Sequence, residues 1–316
     1  MKKKVYFFGY RYVLLVLASF FSHTLYSQVS FNFGIAEAGV SLSPSNFLGD
    51  LGGNPGKGGA FLKDNNISNT KLLIGGHFSV YPSEWIGIRL SLTHGTIAGD
   101  DALIKAQGGL EEARKARNQS FKSKINEVVL VTELYPTVFL EEDATELAHK
   151  IRPYVLLGVG VFHFNPQGKD PVNGDWINLK ELHTEGEGFP EYPERKNYKL
   201  TQINIPLGIG IKYYLNDKVS VSAEFILRKT FTDYLDDVST TYIDNNLFYK
   251  NLPLNTAIVA NRMYDKSVGF ANRNAGDKRG SSDNKDSYYS TGIKFSFRLG
   301  SSVSDGNYLR CPKIRL

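Results

Sequence analysis

The stretch TQINIPLGIGIKYY, residues Thr201–Tyr214, alternates apolar side chains with polar or small ones. The apolar side chains of this stretch are Ile203, Ile205, Leu207, Ile209, Ile211 and Tyr213. Successive side chains of a β-strand point to opposite faces, so this period of two predicts a strand with one apolar face. A tilted strand needs about ten residues to cross a bilayer, and this segment is long enough. Pro206 cannot donate a ladder hydrogen bond, so we expect a bulge there.

Seven further segments complete a set of eight predicted strands. Three alternate as clearly as the first: Trp85–Thr96, Val219–Arg228 and Ser287–Leu299. Four alternate less regularly: Phe31–Leu42, Leu72–Tyr81, Ile125–Tyr135 and Tyr154–Phe164. The predicted fold class is therefore all-β, an eight-stranded antiparallel transmembrane β-barrel. A soluble sandwich that buries the apolar faces in a shared core is the alternative.

The connections between these strands alternate between long and short. The short ones are Pro82–Glu84, Pro136–Ile151 and Asn216–Lys218, and the long ones are Ser43–Lys71, Gly99–Lys124, Asn165–Asn197 and Asp236–Asp286. Bacterial barrels have short periplasmic turns and long extracellular loops, which this order matches. Within the second long loop, Ala102–Arg117 is predicted to be helical, with Glu111 and Lys115 spaced as an i,i+4 pair. The polar fourth loop is expected to be mobile.

The first residues have the order of a secretory signal. Lys2, Lys3, Lys4 and Arg11 precede an apolar run at Val13–Phe21. We therefore expect a cleaved signal peptide at 1–27, a barrel at 28–300 and a periplasmic tail at 301–316. Of the 37 basic residues four lie in the signal, so the remaining 33 nearly balance 32 acidic ones and argue against nucleic-acid binding.

The chain has one cysteine, Cys311, in the predicted tail. A single cysteine cannot form an internal disulfide. We expect either an inert thiol or a link to another chain.

Charged residues on the predicted strands are expected to face the interior. A lysine or arginine that faces lipid at the membrane centre costs about 2–4 kcal/mol. The predicted lumen charge network is Arg89, Glu127, Glu133, Lys212, Glu224, Arg228, Lys294 and Arg298. An eight-stranded barrel is just wide enough for side chains to fill, so these charges predict a paired plug without a conducting pore.

Aromatic residues near the strand ends predict membrane-interface girdles. They are Tyr81, Trp85, Tyr135 and Tyr213 beside the short turns, and Phe164, Phe231 and Tyr289 beside the long loops.

Two groups of side chains are considered as functional sites, the first as a catalytic site and the second as a metal site. His77 and Ser79 share a strand face, and Glu37 could orient the histidine if the first two strands pair in the required register. A lipid-modifying enzyme is the resulting alternative, although we favour a structural hydrogen bond of His77 in the lumen. No catalytic residue, cofactor or small-molecule substrate is predicted.

The second group is an acidic run near the end of the seventh predicted strand. Asp233, Asp236 and Asp237 could bind Ca²⁺, which prefers oxygen ligands. They could equally form a solvated rim or pair with Arg228 and Lys229. We favour the solvated rim, and so predict no metal site.

Five stretches resemble the PorG family across most of the chain. They are NFLGDLG (Asn46–Gly52), RNQSFKS (Arg117–Ser123), PYVLLGVGVFHFNP (Pro153–Pro166), TEGEGFPEYPERKNYKLTQINIPLGIGIKYYL (Thr184–Leu215) and RKTFTDYLDDVSTTY (Arg228–Tyr242). The family motif in the last is Thr232, Asp233, Tyr234, Leu235, Asp236 and Asp237. The resemblance implies a multi-pass protein of the cell outer membrane, in contact with its lipid. It further implies a non-enzymatic accessory of the type IX protein secretion system that anchors or docks periplasmic ring lipoproteins.

The predicted docking surface combines a periplasmic turn with the tail. Its candidate residues are Trp85, Tyr308, Arg310 and Lys313. The alternative is a surface-exposed barrel whose long extracellular loops serve adhesion or ligand interaction.

Overall fold

The computed structural model describes residues 35–52, 67–105, 108, 111–140, 150–268 and 273–299. Its strands are β1 Ile35–Leu48, β2 Lys71–Ser83, β3 Ile86–Asp100, β4 Ser120–Leu134, β5 Ile151–Lys169, β6 Trp176–Asn178, β7 Thr201–Tyr214, β8 Val219–Thr230 and β9 Ser287–Leu299. Its α-helices are α1 Glu111–Arg117, α2 Asn246–Asn251 and α3 Leu254–Tyr264. The predicted signal peptide and the predicted tail, with Tyr308, Arg310, Cys311 and Lys313, lie outside the described residues.

The strands form one closed antiparallel barrel. Going round the sheet, the order is β4, β3, β2, β1, β9, β8, β7 and β5, and β4 also pairs with β5. The short β6 pairs with the end of β5 and adds no barrel position. The predicted class, an eight-stranded antiparallel barrel, is confirmed. No helix among the described residues is long and apolar enough to cross a bilayer.

Period-two alternation separates the two faces of the wall, as β7 shows. Ile203, Ile209 and Ile211 are exposed on the outside, whereas Asn204 and Lys212 are buried inside. The outward apolar series of β7 spans ten residue steps, and at roughly 3.3 Å per step and a tilt of roughly 40° it is about 25 Å tall. This height matches the apolar band of an outer-membrane barrel.

The sandwich alternative is wrong. It requires the β7 apolar series to be buried and the strand charges to be in water. Instead, Leu207 and Ile209 are exposed, and Arg89 and Lys294 are enclosed.

Two local predictions about the barrel wall also fail. β7 keeps one register with β8 through Pro206 and one register with β5 on either side of it, so the expected bulge is absent. The ladder to β5 instead skips Ile205 and Pro206, because proline has no N–H to donate. Several strands are longer than predicted, and β5 reaches 19 residues.

The long loops are more structured than their composition predicts. The expected helix over Ala102–Arg117 is confined to α1, preceded by a short 3₁₀ turn at Asp101–Leu103. Gly108 between them has a φ of 85°, which ends any continuous helix. The fourth loop, expected to be mobile, contains α2 and α3, whose Phe248, Ala257 and Met263 pack in a buried apolar cluster.

Substituting Leu130, half exposed on the outside of β4, tests whether the outward face meets hydrocarbon. We expect Leu130→Arg to lower the free energy of unfolding in lipid vesicles by about 2–4 kcal/mol, measured by denaturant titration. The matched control is Asn126→Arg, four residues away on the same face and beyond the apolar band, with a cost of about 0–1 kcal/mol. Equal losses for both variants would contradict a lipid-facing band.

Candidate functional site

The centre of the lumen charge network is Glu133. Its carboxylate lies 3.0 Å from Lys294 Nζ and 2.9 Å from Arg89 Nη1. Tyr135 donates its hydroxyl hydrogen to the same carboxylate at 2.5 Å. Glu224 bridges the same two cations, at 2.9 Å from Lys294 Nζ and 2.5 Å from Arg89 Nη1. Two glutamates therefore neutralise two cations inside the lumen.

Two further ion pairs flank this centre. Lys212 Nζ lies 2.6 Å from Glu37 Oε2, and Arg228 Nε lies 2.8 Å from Glu127 Oε2. Asn204 Nδ2 donates to Glu127 at 2.6 Å. Seven of the eight predicted network residues thus form ion pairs in the structure.

The eighth predicted member and one missed member complete the network. Arg298 lies half-buried on the inward side of β9. Glu37 was missing from the predicted network, although the sequence held the signal. The predicted inward cations outnumbered the predicted carboxylates, and Glu37 lies on the inward face of a predicted strand.

A cavity of about 40 Å³ remains between the charge layers. It is lined by hydroxyl groups, among them Ser41, Ser91 and Thr93, as well as by the network itself. A water molecule needs roughly 10–15 Å³, so a cavity of this volume has room for about three water molecules.

The trio proposed for lipid chemistry is not assembled. His77 Nε2 lies 3.0 Å from Ser296 Oγ, a hydrogen bond within the lumen of the kind we favoured. Glu37 is opposite Ser79 in the β1–β2 register, yet its carboxylate binds Lys212. The carboxylate of Glu37 is held by Lys212 and does not orient the imidazole, so the arrangement that the enzyme alternative requires is not formed.

The aromatic girdle is only partly as predicted. Trp85, Tyr213 and Phe231 are exposed, whereas Tyr81, Tyr135 and Phe164 are buried inside. The two inward tyrosines both donate to Glu133, so they belong to the charge network and not to the interface. Tyr289 lies on the outward face of β9 but is covered by neighbours, including Phe225 with ring centroids 5.4 Å apart.

An exposed apolar patch lies at the end of the barrel that carries the short turns. Trp85 lies in the turn between β2 and β3, and a 3₁₀ segment, Pro136–Leu140, follows β4. The ring centroid of Trp85 lies 6.1 Å from that of Phe139. Phe139 is 72% exposed and Leu140 is 78% exposed. We call Trp85, Phe139 and Leu140 the short-turn patch.

At the opposite end, the acidic run is buried and not a solvated rim, so that prediction is wrong. Asp236 and Asp237 are 0% exposed and Asp233 is 3% exposed. Their expected partner Arg228 binds Glu127 instead. Among the described residues, no group of three or more histidine, cysteine or acidic side chains is arranged to hold a metal ion.

These aspartates are buried because other loops donate hydrogen bonds to them. Asp237 accepts from Thr184 Oγ1 and from the Tyr198 hydroxyl, each at 2.6 Å. Asp236 accepts from the backbone N–H of Leu51 at 3.1 Å. The fourth loop is thereby tied to the first and to the third. We call this assembly of loops the cap.

Two buried arginines connect the remaining loops of the cap. Arg117 Nε lies 2.8 Å from Asp101 Oδ2, and Nη2 of the same arginine donates to the Asp50 carbonyl at 2.6 Å. Arg279 Nη1 lies 2.9 Å from Glu185 Oε1 and donates to the Asp237 carbonyl at 2.6 Å. All four long loops therefore share one buried polar network.

Sequence reasoning did not identify this network, although the signal was present. Asp50, Arg117, Glu185 and Asp237 each lie in a stretch on which the family resemblance was based. These stretches are far apart in the chain and meet only in the cap.

The cap contains more buried carboxylates than buried cations. Burial raises the pKa of Asp233 from 3.8 to about 7, despite the hydrogen bond from Ser239. Burial is also the largest cause of the raised pKa of Asp236 and of Glu187, and neighbouring carboxylates add to it. These groups are therefore held closer to their neutral forms than free carboxyls would be.

A family model described as a domain of unknown function, DUF6089, matches residues 13–174, just over half of the chain. The chain belongs to the DUF6089 family. No curated protein sequence matches it.

Several solved outer-membrane barrels are similar to this DUF6089 member. Ail of Yersinia pestis is 8% identical, with 84% of this chain and 99% of that chain covered and a TM-score of 0.36. Neisserial surface protein A is 6% identical, with coverages of 84% and 97% and a TM-score of 0.36. OprG of Pseudomonas aeruginosa is 11% identical, with coverages of 84% and 95% and a TM-score of 0.33. Similarity at this level carries no argument about function.

Removing the central carboxylate tests the lumen network of this DUF6089 member. We expect Glu133→Leu to lower the free energy of unfolding by about 3–5 kcal/mol, because Arg89 and Lys294 would then share the single carboxylate of Glu224 and one buried positive charge would be left uncompensated. The measurement is denaturant unfolding in micelles followed by circular dichroism. Glu84→Leu is the control, since Glu84 is 53% exposed and pairs with Arg152 at the barrel rim. Its expected cost is below about 1 kcal/mol, and a similar loss for both would refute the central role of Glu133.

The buried carboxyls make the cap sensitive to alkali. A folded-state pKa above the unfolded value means that the neutral form favours folding, and this stability is lost as pH rises through the folded pKa. For Asp233 this contribution to stability is lost over the pH range from about 4 to about 7. We expect the cap to melt at a lower temperature at pH 8 than at pH 5, followed by near-ultraviolet circular dichroism.

The variant Asp233→Asn should reduce this pH dependence, because an amide does not ionise. Asp244→Asn, at an exposed position of the same loop, should leave it unchanged. Identical pH profiles for the wild type and Asp233→Asn would contradict the assignment.

Proposed function

We propose that this DUF6089 member is a non-enzymatic outer-membrane accessory of type IX protein secretion, which docks periplasmic ring lipoproteins. The observation that carries the membrane part is the outward apolar face, with residues such as Leu157 and Val159 about 60% exposed. The observation that carries the docking part is the short-turn patch.

An outer-membrane location accounts for the surface of the barrel. Monomeric soluble proteins rarely expose apolar patches larger than a few hundred Å². Here seven of the eight barrel strands contribute exposed large apolar side chains, and the outward apolar residues of β8, such as Val221 and Phe225, are half-buried. The apolar face therefore runs around the wall. Hydrocarbon is the environment that such a face requires, and the predicted signal peptide supports export.

The orientation follows from the two unlike ends. Short turns are periplasmic and long loops extracellular in bacterial barrels, so the short-turn patch would face the periplasm. Phe139 and Leu140 project apolar side chains where a barrel needs none for its own closure. They form an exposed apolar surface suited to a protein partner, and the proposal includes the predicted tail residues Tyr308, Arg310 and Lys313 as further candidates for docking. The choice of ring lipoproteins as the partner rests on the resemblance to the PorG family.

A second candidate function is interaction at the cell surface through the cap. It is favoured by exposed apolar residues on the two helices of the fourth loop, namely Tyr249, Leu254 and Ile258. The cap network would hold these helices in a fixed position.

Removing the short-turn patch separates the two candidates. We expect the double variant Trp85→Ala/Phe139→Ala to lower recovery of periplasmic lipoproteins with the barrel from solubilised outer membranes by about tenfold, because apolar anchors dominate interface energy. Secretion through the type IX system should fall with it. The control is Trp176→Ala, at the other tryptophan of the chain and in the third long loop.

Deletion of 301–316 tests the tail in the same assay. Unchanged recovery and secretion in both the patch variant and the tail deletion would overturn the docking role. Loss of function on trimming α2 and α3, with secretion intact, would establish the cell-surface alternative.

A further inference from the structure

An open groove of about 510 Å³ lies outside the barrel, where β7 and β8 meet the end of the fourth loop. Its lining combines Ile205, Lys229 and Phe231 from the barrel wall with Asp283 and Lys285 from the end of the fourth loop. No part of the proposed secretion role uses this groove, which is at the long-loop end of the wall.

The groove spans the boundary between apolar and polar surface. Ile205 belongs to the outward apolar series of β7 and pairs in register with Lys229 on β8. Lys229 is exposed one residue before β8 ends, and Phe231 beyond it is 55% exposed. An aromatic ring beside lysine at the edge of an apolar band is typical of the level of lipid headgroups.

Basic side chains continue round the same boundary. Lys124 is exposed on the outward face of β4, and exposed Lys199 lies just before β7. The described outward positions above the apolar band on β4, β5, β7 and β8 include no aspartate or glutamate. The surface at this level therefore favours a negatively charged neighbour.

Within the groove, two lysines and a polar loop define the chemistry of an occupant. Lys229 and Lys285 supply positive charge, and Ile205 and Phe231 supply apolar lining. The Lys285 ammonium also donates a hydrogen bond to the Ser282 carbonyl at 3.3 Å. Asp283 and Asn284, both exposed, add hydrogen-bonding groups to the lining. Phosphate suits the lysines, acyl chains suit the apolar lining, and sugar hydroxyls suit the aspartate and asparagine.

We propose that this groove binds a phosphorylated glycolipid of the outer leaflet. The phosphate lies between Lys229 and Lys285, and the acyl chains descend along Ile205 and Phe231. The proposal relies on the outer-membrane location argued above and is independent of the secretion role.

Binding can be measured on the purified full chain in detergent, without any secretion partner. The probe is lipid A with two phosphates, titrated by native mass spectrometry and compared with dephosphorylated lipid A. We expect Lys229→Gln/Lys285→Gln to weaken the apparent affinity for the phosphorylated probe by about tenfold. The dephosphorylated probe should bind the wild type and this variant equally weakly.

The matched control is Lys115→Gln/Lys196→Gln, which removes the same charge from exposed cap lysines that do not line the groove. It should bind like the wild type. Heat-modifiable migration on gels checks that each barrel is folded.

Two outcomes would overturn the proposal. One is equal affinity of the groove variant and the control variant for phosphorylated lipid A. The other is equally tight binding of glucosamine 6-phosphate, which has no acyl chain and would make the groove a general anion site. Since no lipoprotein is present, either outcome leaves the proposed secretion role untouched.

Discussion

The ion pairs between inward glutamates and inward arginines and lysines are the interaction on which the rest of the barrel depends. A sheet that gives its apolar face to hydrocarbon must enclose its polar face. Glu133 and Glu224 meet this requirement by sharing Arg89 and Lys294. The hydroxyl groups of Tyr81 and Tyr135 donate to the other carboxylate oxygen of Glu133. The outward apolar band and the closed interior are therefore two results of one pattern.

The cap applies the same chemistry with the opposite balance of charge. Arg117 and Arg279 cross-link loops through carboxylates and backbone carbonyls, but the surrounding acids outnumber them. The surplus is tolerated because burial keeps acids such as Asp233 closer to neutral and because backbone N–H groups donate to others. The acidic run that the sequence predicts as a solvated rim is thus a buried part of the network that joins the loops.

Local pattern explains how far the sequence could predict this structure. The alternation in Thr201–Tyr214 predicted a strand, its bounds and its two faces, because side-chain direction in a strand depends only on position. Glu37 and the cap network escaped prediction because their partners are set by register and by contacts across loops. The buried tyrosines at 81 and 135 were misplaced for a related reason: proximity to a turn does not reveal which face a ring occupies.

The pairing of β1 with β9 has a consequence for assembly. These strands are joined in a register such as Val40 with Phe295, which are more than 250 positions apart. Contacts at such separation form late, since the chain between them must first lose its freedom. The pairing of β1 with β9, which closes the barrel, therefore forms only after the last strand has been synthesised and exported. Until then β1 and β8 are unpaired edges, and such edges invite aggregation unless a chaperone or an insertion machine covers them.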